Sequence, residues 1–258
     1  MATGNKTRLK SFGKTWKCLL MYLFAHTPIS MAQTPESIEF EPHATWQFKL
    51  TPSVYQTSHQ PGASDLNLRA NASAQTLWIG QYDQAAQFHQ TRLGYEYALD
   101  TEWGKVTPSV QAASGGFWGG SLNAQWGKTT YLMAGWGRTN LREYYNLNFD
   151  PNDALTFGVG GLVSDSQQWS IWRTQDDRLQ TGQRVTHLLW RYRLPSGQRL
   201  TLDVATKKGR SDPSTERVKG NSLSATWDWS RYFLRLAWDQ KVNFSDEDQK
   251  RLSLGWHF

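Results

Sequence analysis

The chain of 258 residues carries 28 Lys and Arg against 22 Asp and Glu, a single cysteine and 14 tryptophans. Five of the basic residues and none of the acidic ones precede Gln33, so the rest of the chain is almost neutral and gives no reason to expect a nucleic-acid partner. The only cysteine, Cys18, precedes Gln33 as well, so an exported chain would have to be stable without a disulfide.

The first 32 residues have the organisation of a secretory signal peptide. A basic segment is followed by the apolar run CLLMYLFA at 18–25 and by a small-x-small cleavage site at 30–32. The alternative is a membrane anchor, which needs about 20 apolar residues. We therefore expect a signal peptide at 1–32, a short periplasmic lead at 33–43 and one domain at 44–258.

From about Ala44 onward, apolar and polar side chains alternate within successive segments. In 232–239, Leu234 and Leu236 alternate with Arg235 and Asp239. This period of two is typical of half-buried strands, and no sustained helical period occurs. We predict fourteen strands, or twelve if two weak segments merge or lie outside the membrane, near 45–55, 65–72, 76–82, 90–99, 103–112, 117–127, 130–138, 154–163, 167–174, 184–193, 199–207, 220–229, 232–239 and 251–258.

The connectors between these segments alternate in length. Short turns such as 194–197 and 230–231 alternate with longer polar stretches, of which 139–153 is the longest. An up-and-down antiparallel barrel gives this order, with short turns at one end and long loops at the other. A sandwich with Greek-key crossings would not preserve it.

Aromatic residues concentrate at one end of the predicted strands. Trp126, Trp190 and Trp229 end segments that run in one direction, and Trp103 and Tyr131 begin segments that run back. Both sets therefore fall at one rim, where amphipathic rings are stabilised at the level of lipid headgroups. This placement favours a membrane barrel over the alternative, a soluble tryptophan-rich β-protein.

The final stretch, KRLSLGWHF, places apolar side chains at Leu252, Leu254, Trp256 and Phe258. It resembles the C-terminal strand of bacterial outer-membrane β-barrel proteins, a porin-like superfamily. The resemblance implies that these four residues are the signal read by the barrel-assembly machinery. It also implies an all-β transmembrane barrel at 44–258 in the outer membrane of a Gram-negative bacterium, in contact with membrane lipid and lipopolysaccharide.

If the apolar parity faces lipid, the polar parity lines the lumen. An excess of basic residues there favours a passive pore for small polar solutes with a mild preference for anions. Alternatively, charges paired across strands fill a closed barrel that acts through its loops as a structural or interaction protein. The candidate lining residues are Arg69, Arg92, Lys105, Arg191, Arg199, Arg235, Arg251, Glu96, Asp203 and Asp239. In the long loop, Arg142, Tyr144, Tyr145, Asn148 and Asp150 are candidates to constrict the pore, contact a ligand or form a cap.

Signals for chemistry are weak. His187 has no serine within two residues, and Asp176-Asp177 precede it without an Asp-x-His motif, so neither a serine hydrolase nor an acidic protease pattern is present. The acidic pair Asp150 and Asp153 lacks the ligand number and the glycine of a calcium loop. We expect a transport protein with no cofactor or metal; an enzyme that cleaves lipid or peptide is the third alternative.

Overall fold

A computed structural model describes residues 45–146 and 150–258. The predicted signal peptide and the lead at 33–43 lie outside these residues. The described residues form fifteen strands and one short 3₁₀ turn at Val242–Phe244. The strands are β1 (Gln47–Thr57), β2 (Ala63–Ala72), β3 (Gln75–Gln84), β4 (Phe88–Tyr97), β5 (Leu99–Thr101), β6 (Gly104–Ala113), β7 (Phe117–Trp126), β8 (Thr130–Thr139), β9 (Ala154–Ser164), β10 (Gln167–Asp176), β11 (Arg184–Arg193), β12 (Arg199–Gly209), β13 (Val218–Trp229), β14 (Tyr232–Asp239) and β15 (Gln249–His257).

The strands close into a barrel. Sequence neighbours pair antiparallel, and β1 pairs with β15 to form the seam. Because β4 and β5 both pair with β6, they are two parts of one interrupted strand. The barrel therefore has fourteen strands, which confirms the predicted all-β, up-and-down architecture and the larger of the two predicted strand numbers.

Two prolines mark interruptions in the hydrogen-bond ladder. Pro108 on β6 faces the gap at 97–98, where β4 ends and β5 begins. Pro52 lies where the pairing of β1 with β15 is broken between Leu50 and Ser53. Proline has no backbone N–H to donate to the neighbouring strand, which explains both breaks.

The two ends of the barrel differ in their connectors. One end, which we call the turn rim, has short connections at 73–74, 127–129, 165–166, 194–198 and 230–231. The other end, the loop rim, includes the longest connections, at 140–153, 177–183, 210–217 and 240–248. Among the described residues, no helix is long and apolar enough to cross a membrane.

The outward face of the barrel is an apolar belt. Large hydrophobic side chains on the outward parity are strongly exposed, Trp126 at 69% and Leu132 at 64%. A continuous exposed apolar surface of this kind is unfavourable in water and is the lipid-facing surface expected of a transmembrane barrel. The inward parity of the same strands carries mostly polar, charged and small side chains.

Aromatic rings gather at the turn rim on the outward face. The rings of Trp103 and Trp126 lie 6.0 Å apart, and those of Trp190 and Tyr192 lie 5.6 Å apart. Tyr131 was expected in this girdle, but its side chain is only 7% exposed and its hydroxyl accepts a hydrogen bond from the Gln168 amide at 2.8 Å. It faces inward because residues on β8 of odd number have the inward parity.

Some inward rings fit only because the neighbouring strand carries glycine. Gly160 lies directly across from Tyr131, and Gly158 lies directly across from Trp172. A Cβ at Gly160 would lie 2.5 Å from the Tyr131 ring, and one at Gly158 would lie 2.5 Å from the Trp172 Cβ. The glycines on β9 therefore provide the space into which these rings pack.

The segment that ends at Phe258 is held in the seam. The Phe258 ring stacks on Phe48 at 5.6 Å, and the backbones of these two residues exchange hydrogen bonds of 2.8 and 3.0 Å. Leu252, Leu254 and Trp256 point outward and are 41%, 56% and 46% exposed. Phe258 is likewise 54% exposed, so all four residues of the predicted assembly signal lie on the outward surface and the last of them stacks on the first strand.

Candidate functional site

The charged inward side chains are concentrated on half of the wall. Seven adjacent strands, β11 to β15 followed by β1 and β2, form what we call the basic arc. Its inward parity carries eight Lys or Arg and four acidic residues. The basic residues are Lys49, Arg69, Arg191, Arg193, Arg199, Lys207, Arg235 and Arg251, and the acidic residues are Asp65, Asp203, Asp228 and Asp239.

The opposite wall is uncharged. We call the inward faces of β7, β8 and β9 the neutral arc, because their inward residues between Phe117 and Gly160 are small, polar or aromatic and none is charged within the described strands. Ser121, Asn123 and Thr156 supply hydroxyl and amide groups there. The lumen therefore presents different chemistry on its two sides.

No ion pair within residues 45–146 and 150–258 involves Lys49, Arg191 or Arg235 of the basic arc. Arg191 donates to the Gln168 side-chain carbonyl at 3.2 Å, and Arg235 donates to the Thr226 hydroxyl at 2.9 Å. The Lys49 ammonium lies 5.6 Å from the centre of the Phe233 ring. Neutral acceptors and an aromatic face leave the full positive charge in place, so this part of the wall is electropositive.

Other bases of the wall have acidic partners that are partly exposed. Arg199 donates to Asp228 at 3.1 Å, and the Arg69 guanidinium lies 3.8 Å from Glu96. Lys105, near the turn rim, lies 3.5 Å from Asp100. Partly exposed pairs of this kind contribute about 0–1 kcal/mol, so they reduce the local field without fixing the structure.

Two further pairs are buried and belong to the packing of the barrel. Arg92 pairs with Asp65, and Lys207 pairs with Asp239; all four side chains are at most 3% exposed. Removing one partner of such a pair leaves a buried charge and costs about 3–5 kcal/mol. The predicted lining residues Arg92 and Asp239 therefore lie on the inward face, but their charges are used within the wall.

The loop 140–153 crosses the lumen. It leaves β8, and the hydroxyl of its Tyr145 accepts a hydrogen bond of 2.7 Å from Gln249 on β15, seven strands away in the ring of fourteen. The Tyr145 ring stacks on Tyr82 at 3.9 Å. Gln90 donates to the Glu143 carbonyl and accepts from the Tyr145 N–H, both at 3.0 Å. The loop is thus attached to the wall opposite its origin.

A neighbouring tyrosine attaches the same loop to the strands beside β8. The Tyr144 ring stacks on Phe117 at 4.3 Å, and its hydroxyl lies 3.4 Å from the Gln111 side-chain oxygen. Burial raises the pKa of Tyr144 above its ordinary value, so its hydroxyl stays neutral at physiological pH. Arg142, by contrast, is exposed.

The returning half of the loop is attached to the basic arc through His187. One ring nitrogen of His187 lies 3.0 Å from an Asp150 oxygen in the loop, and the other lies 3.0 Å from an Asp203 oxygen on β12. Trp172 stacks parallel to the imidazole at 4.5 Å. His187 therefore bridges loop and wall, and within the described residues no serine hydroxyl is bonded to it.

The loop separates two spaces in the lumen. A cavity of about 300 Å³ on the side of the basic arc is lined by Arg191, Arg235 and Arg251 together with His187 and Asp203. A cavity of about 230 Å³ on the other side is lined by neutral-arc residues, and Asp150 borders both. Within the described part of the chain, no group of His, Cys, Asp and Glu is arranged to hold a metal ion.

No family model and no curated protein sequence matches this chain. Among solved structures, the outer membrane protein Omp33 of Acinetobacter baumannii is 9% identical, with a TM-score of 0.58 over 83% of this chain and 98% of that one. The KdgM porin is 10% identical, with a TM-score of 0.46 over 81% and 99%. A variant of the Rh. blastica porin is 8% identical, with a TM-score of 0.45 over 83% and 99%. The chain has the fold of a bacterial outer-membrane β-barrel.

This fold orients the molecule. In such barrels the short turns are periplasmic and the long loops are extracellular, so we expect the turn rim to face the periplasm and the loop rim to face outside. The apolar belt and the aromatic girdle then span the outer membrane. The loop 140–153 enters the lumen from the extracellular side.

The predicted loop residues have different surroundings. Tyr144, Tyr145 and Asp150 contact the wall, whereas Arg142 does not take part in these contacts. Asn148 lies outside the described residues.

Sequence reasoning missed the partners of the loop. Gln90 and Gln249 are polar residues on the inward parity of their strands and gave no separate signal. Trp172 was read as part of a weak strand, although it supports the His187 bridge. The separations of 55 and 104 residues between Tyr145 and the two glutamines become contacts only when the barrel closes.

Proposed function

We propose that the barrel is a passive pore that lets small polar solutes cross the outer membrane, with a mild preference for anions. The observation that supports it is the set of inward bases Lys49, Arg191 and Arg235, which have no acidic partner among the described residues. A wall with a net positive charge attracts anions into the lumen and repels cations. The loop 140–153 narrows the path, and its Asp150 stands beside this wall.

The test is single-channel conductance of refolded 33–258 in a planar phosphatidylcholine bilayer, with the reversal potential measured in a salt gradient. We expect discrete openings and a reversal potential of the sign that anion permeation gives. A correctly folded barrel that shows no conductance would contradict the pore. A reversal potential at zero would contradict the anion preference alone.

The second candidate is a closed barrel that acts through its extracellular loops. It is favoured by the number of contacts that hold the loop 140–153 across the lumen, including the stack of Tyr145 on Tyr82 at 3.9 Å and the His187 bridge to Asp150 at 3.0 Å. If the native protein is silent and the variant lacking 141–152 conducts, this candidate is the correct one.

We propose that the chain is not an enzyme. His187 serves to hold the loop, because both of its ring nitrogens face carboxylates at 3.0 Å, which leaves neither nitrogen available to activate a hydroxyl. His187→Ala should therefore change conductance and leave no lipid- or peptide-cleaving activity to lose. A hydrolytic activity in native protein that this variant abolishes would contradict the assignment.

We further propose that the barrel-assembly machinery reads Leu252, Leu254, Trp256 and Phe258. Phe258→Ala removes the aromatic ring at position 258 and its 5.6 Å stack on Phe48. We therefore expect less heat-modifiable folded barrel in outer-membrane fractions. His257→Ala changes the adjacent, inward-facing side chain and is the control. Equal amounts of folded barrel from both variants would contradict this role of Phe258.

A further inference from the structure

Three basic residues lie side by side on the outward face near the loop rim. Arg184 on β11 is directly opposite Lys208 on β12, and Lys208 is directly opposite Lys219 on β13. Like charges in directly opposite positions of an antiparallel sheet repel each other and destabilise it. We call these three residues the outer basic cluster; its repulsion requires a compensating interaction.

The compensation does not come from the described part of the chain. None of the three residues forms an ion pair there, and the charges of Lys219, Arg184 and Arg217 all act on Lys208. Arg173 on β10 lies directly opposite Thr186, the next outward residue of β11 after Arg184. It adds a further positive charge and donates to the Thr186 hydroxyl at 2.9 Å. The outward surface of four neighbouring strands is therefore positive.

Some other outward charges at this rim have acidic partners. Arg138 forms two hydrogen bonds with Asp177, at 2.6 and 2.7 Å, and His89 lies 2.8 Å from Asp83. The pairing of these residues shows that the rim provides acidic partners elsewhere. The outer basic cluster lacks such acidic partners although it joins three like charges, and this points to a partner outside the chain.

The level of the cluster identifies the region of the membrane that it contacts. The next outward row toward the membrane centre contains Thr186, Thr206 and Asn221, and the row after that begins the apolar belt with Leu188, Val204 and Leu223. The cluster therefore lies where the extracellular leaflet places its headgroups. Phosphates at this level would meet basic side chains and, just below them, hydroxyl and amide donors.

An apolar groove adjoins the cluster on the same outward face. It has a volume of about 580 Å³ and is lined mainly by outward residues of β13, β14, β15 and β1, including Leu223, Leu236, Trp238 and Leu252. Leu223 lies on β13 four residues from Lys219, and it is directly opposite Trp238. The outer basic cluster and the apolar groove therefore share strand β13, with Lys219 and Leu223 on the same outward face.

We propose that this face binds the phosphorylated, acylated glycolipid of the extracellular leaflet, lipid A of lipopolysaccharide. Its phosphates occupy the outer basic cluster with Arg173, and an acyl chain lies in the groove beside Trp238. Charge complementarity selects an anionic headgroup, and the adjoining groove selects an amphiphile over free phosphate. The inference rests on the outer-membrane location and is independent of whether the lumen conducts.

The experiment compares three probes on refolded 33–258 in neutral detergent: lipid A with both phosphates, the same lipid without phosphates, and inorganic phosphate. The number of bound lipids and their affinity are measured by native mass spectrometry. The variant is Arg184→Gln, Lys208→Gln and Lys219→Gln combined. The control removes three charges at the opposite rim, with Lys128→Gln, Arg193→Gln and Arg231→Gln combined.

We expect bisphosphorylated lipid A to bind native protein and the control with equal affinity, and the cluster variant about 100-fold more weakly, as the loss of three bases near a membrane surface implies. Without lipid, the cluster variant should be at least as heat-stable as native protein, because the repulsion is gone. A thermal stability at least equal to that of native protein would show that the cluster variant binds lipid A more weakly without being misfolded.

Three results would overturn the proposal. Equal binding of lipid A to the native and cluster-variant proteins would exclude the cluster as the site. Equal binding of lipid A with and without phosphates would exclude phosphate recognition. Binding of inorganic phosphate that removes all lipid A from the protein would make the surface a phosphate site with no role for the groove.

Discussion

The two sides of the lumen differ in what their strands carry inward. The basic arc has arginine or lysine on six of its seven neighbouring strands, whereas the neutral arc has glycine, serine, asparagine and aromatic rings. Both arcs belong to one continuous sheet with the same pleat, so the backbone does not cause the difference. The difference between the arcs comes from the side chains: one side of the lumen is charged, and the other side provides space for aromatic rings and for the loop that crosses the lumen.

The strongest way to break this comparison is to neutralise the basic arc. With Lys49→Gln, Arg191→Gln and Arg235→Gln combined, we expect the anion preference to be lost, because the removed charges have no acidic partner among the described residues. The measurement is the reversal potential in a salt gradient.

The control for this variant removes three charges from the outward face, with Arg173→Gln, Arg184→Gln and Lys250→Gln. These side chains face lipid or headgroups, so the reversal potential should remain native in a phosphatidylcholine bilayer. A control that shifts the potential as much as the lumen variant would show that surface charge sets the selectivity.

The second effect comes from releasing the loop that separates the two sides. Tyr145→Ala removes the stack on Tyr82 and the hydrogen bond from Gln249, worth about 1 kcal/mol each. We expect larger conductance and more frequent switching between levels. Tyr145→Phe keeps the stack and should behave nearly as native protein. A large effect of Tyr145→Phe on conductance would show that the hydrogen bond from Gln249, and not the stack, holds the loop.

A single charge on each arc sharpens the comparison further. Arg235→Gln and Asn123→Asp each change the lumen charge by one unit toward negative, on the basic and the neutral arc respectively. We expect both to shift the reversal potential toward cations, with the larger shift for Arg235→Gln, because anions follow the positive wall. Equal shifts would mean that only the net charge of the lumen matters.

The smallest expected effect is pH dependence in the loops above the basic arc. The Ser58 hydroxyl donates to Glu247 at 2.6 Å and lowers its pKa below the ordinary value, with a smaller contribution from His59. A depressed carboxyl pKa stabilises the fold above the unfolded value of about 4.3. This stabilisation is lost as pH falls through the lower, folded pKa.

Thermal unfolding of native protein and Glu247→Gln between neutral and acid pH tests this assignment. The variant should unfold at slightly lower temperature at neutral pH, and the difference should vanish in acid. Glu143→Gln, at an exposed position in the loop 140–153, is the control and should match native protein at neutral pH. A difference for Glu247→Gln that grows in acid would contradict the predicted sign.

Much of the barrel could be predicted from sequence because its signal is local. Alternation such as that of Leu234, Arg235 and Leu236 depends on the pleat of one strand alone, and the lengths of the connectors give the up-and-down order. Tyr131 shows the limit of aromatic placement: an aromatic at the turn rim belongs to the girdle only if its parity is outward. Parity was the better guide.

The site could be predicted only in part because its contacts are not local. The inward parity of Arg191 and Arg235 follows from alternation, but their neutral partners Gln168 and Thr226 depend on strand register. Asp203 lies on the strand beside Arg191, yet it bonds to His187 at 3.0 Å. Sequence gives the charges of a lumen, whereas three-dimensional register decides which of them remain uncompensated.

The bond between Tyr145 and Gln249 also constrains the order of assembly. Its partners are 104 residues apart, and Gln249 begins β15, the strand that closes the seam with β1. Contacts of such high sequence separation form late. Until β15 is paired on both sides, the loop lacks its bond to Gln249. The attachment of the loop across the lumen is therefore complete only when the sheet has closed at the seam.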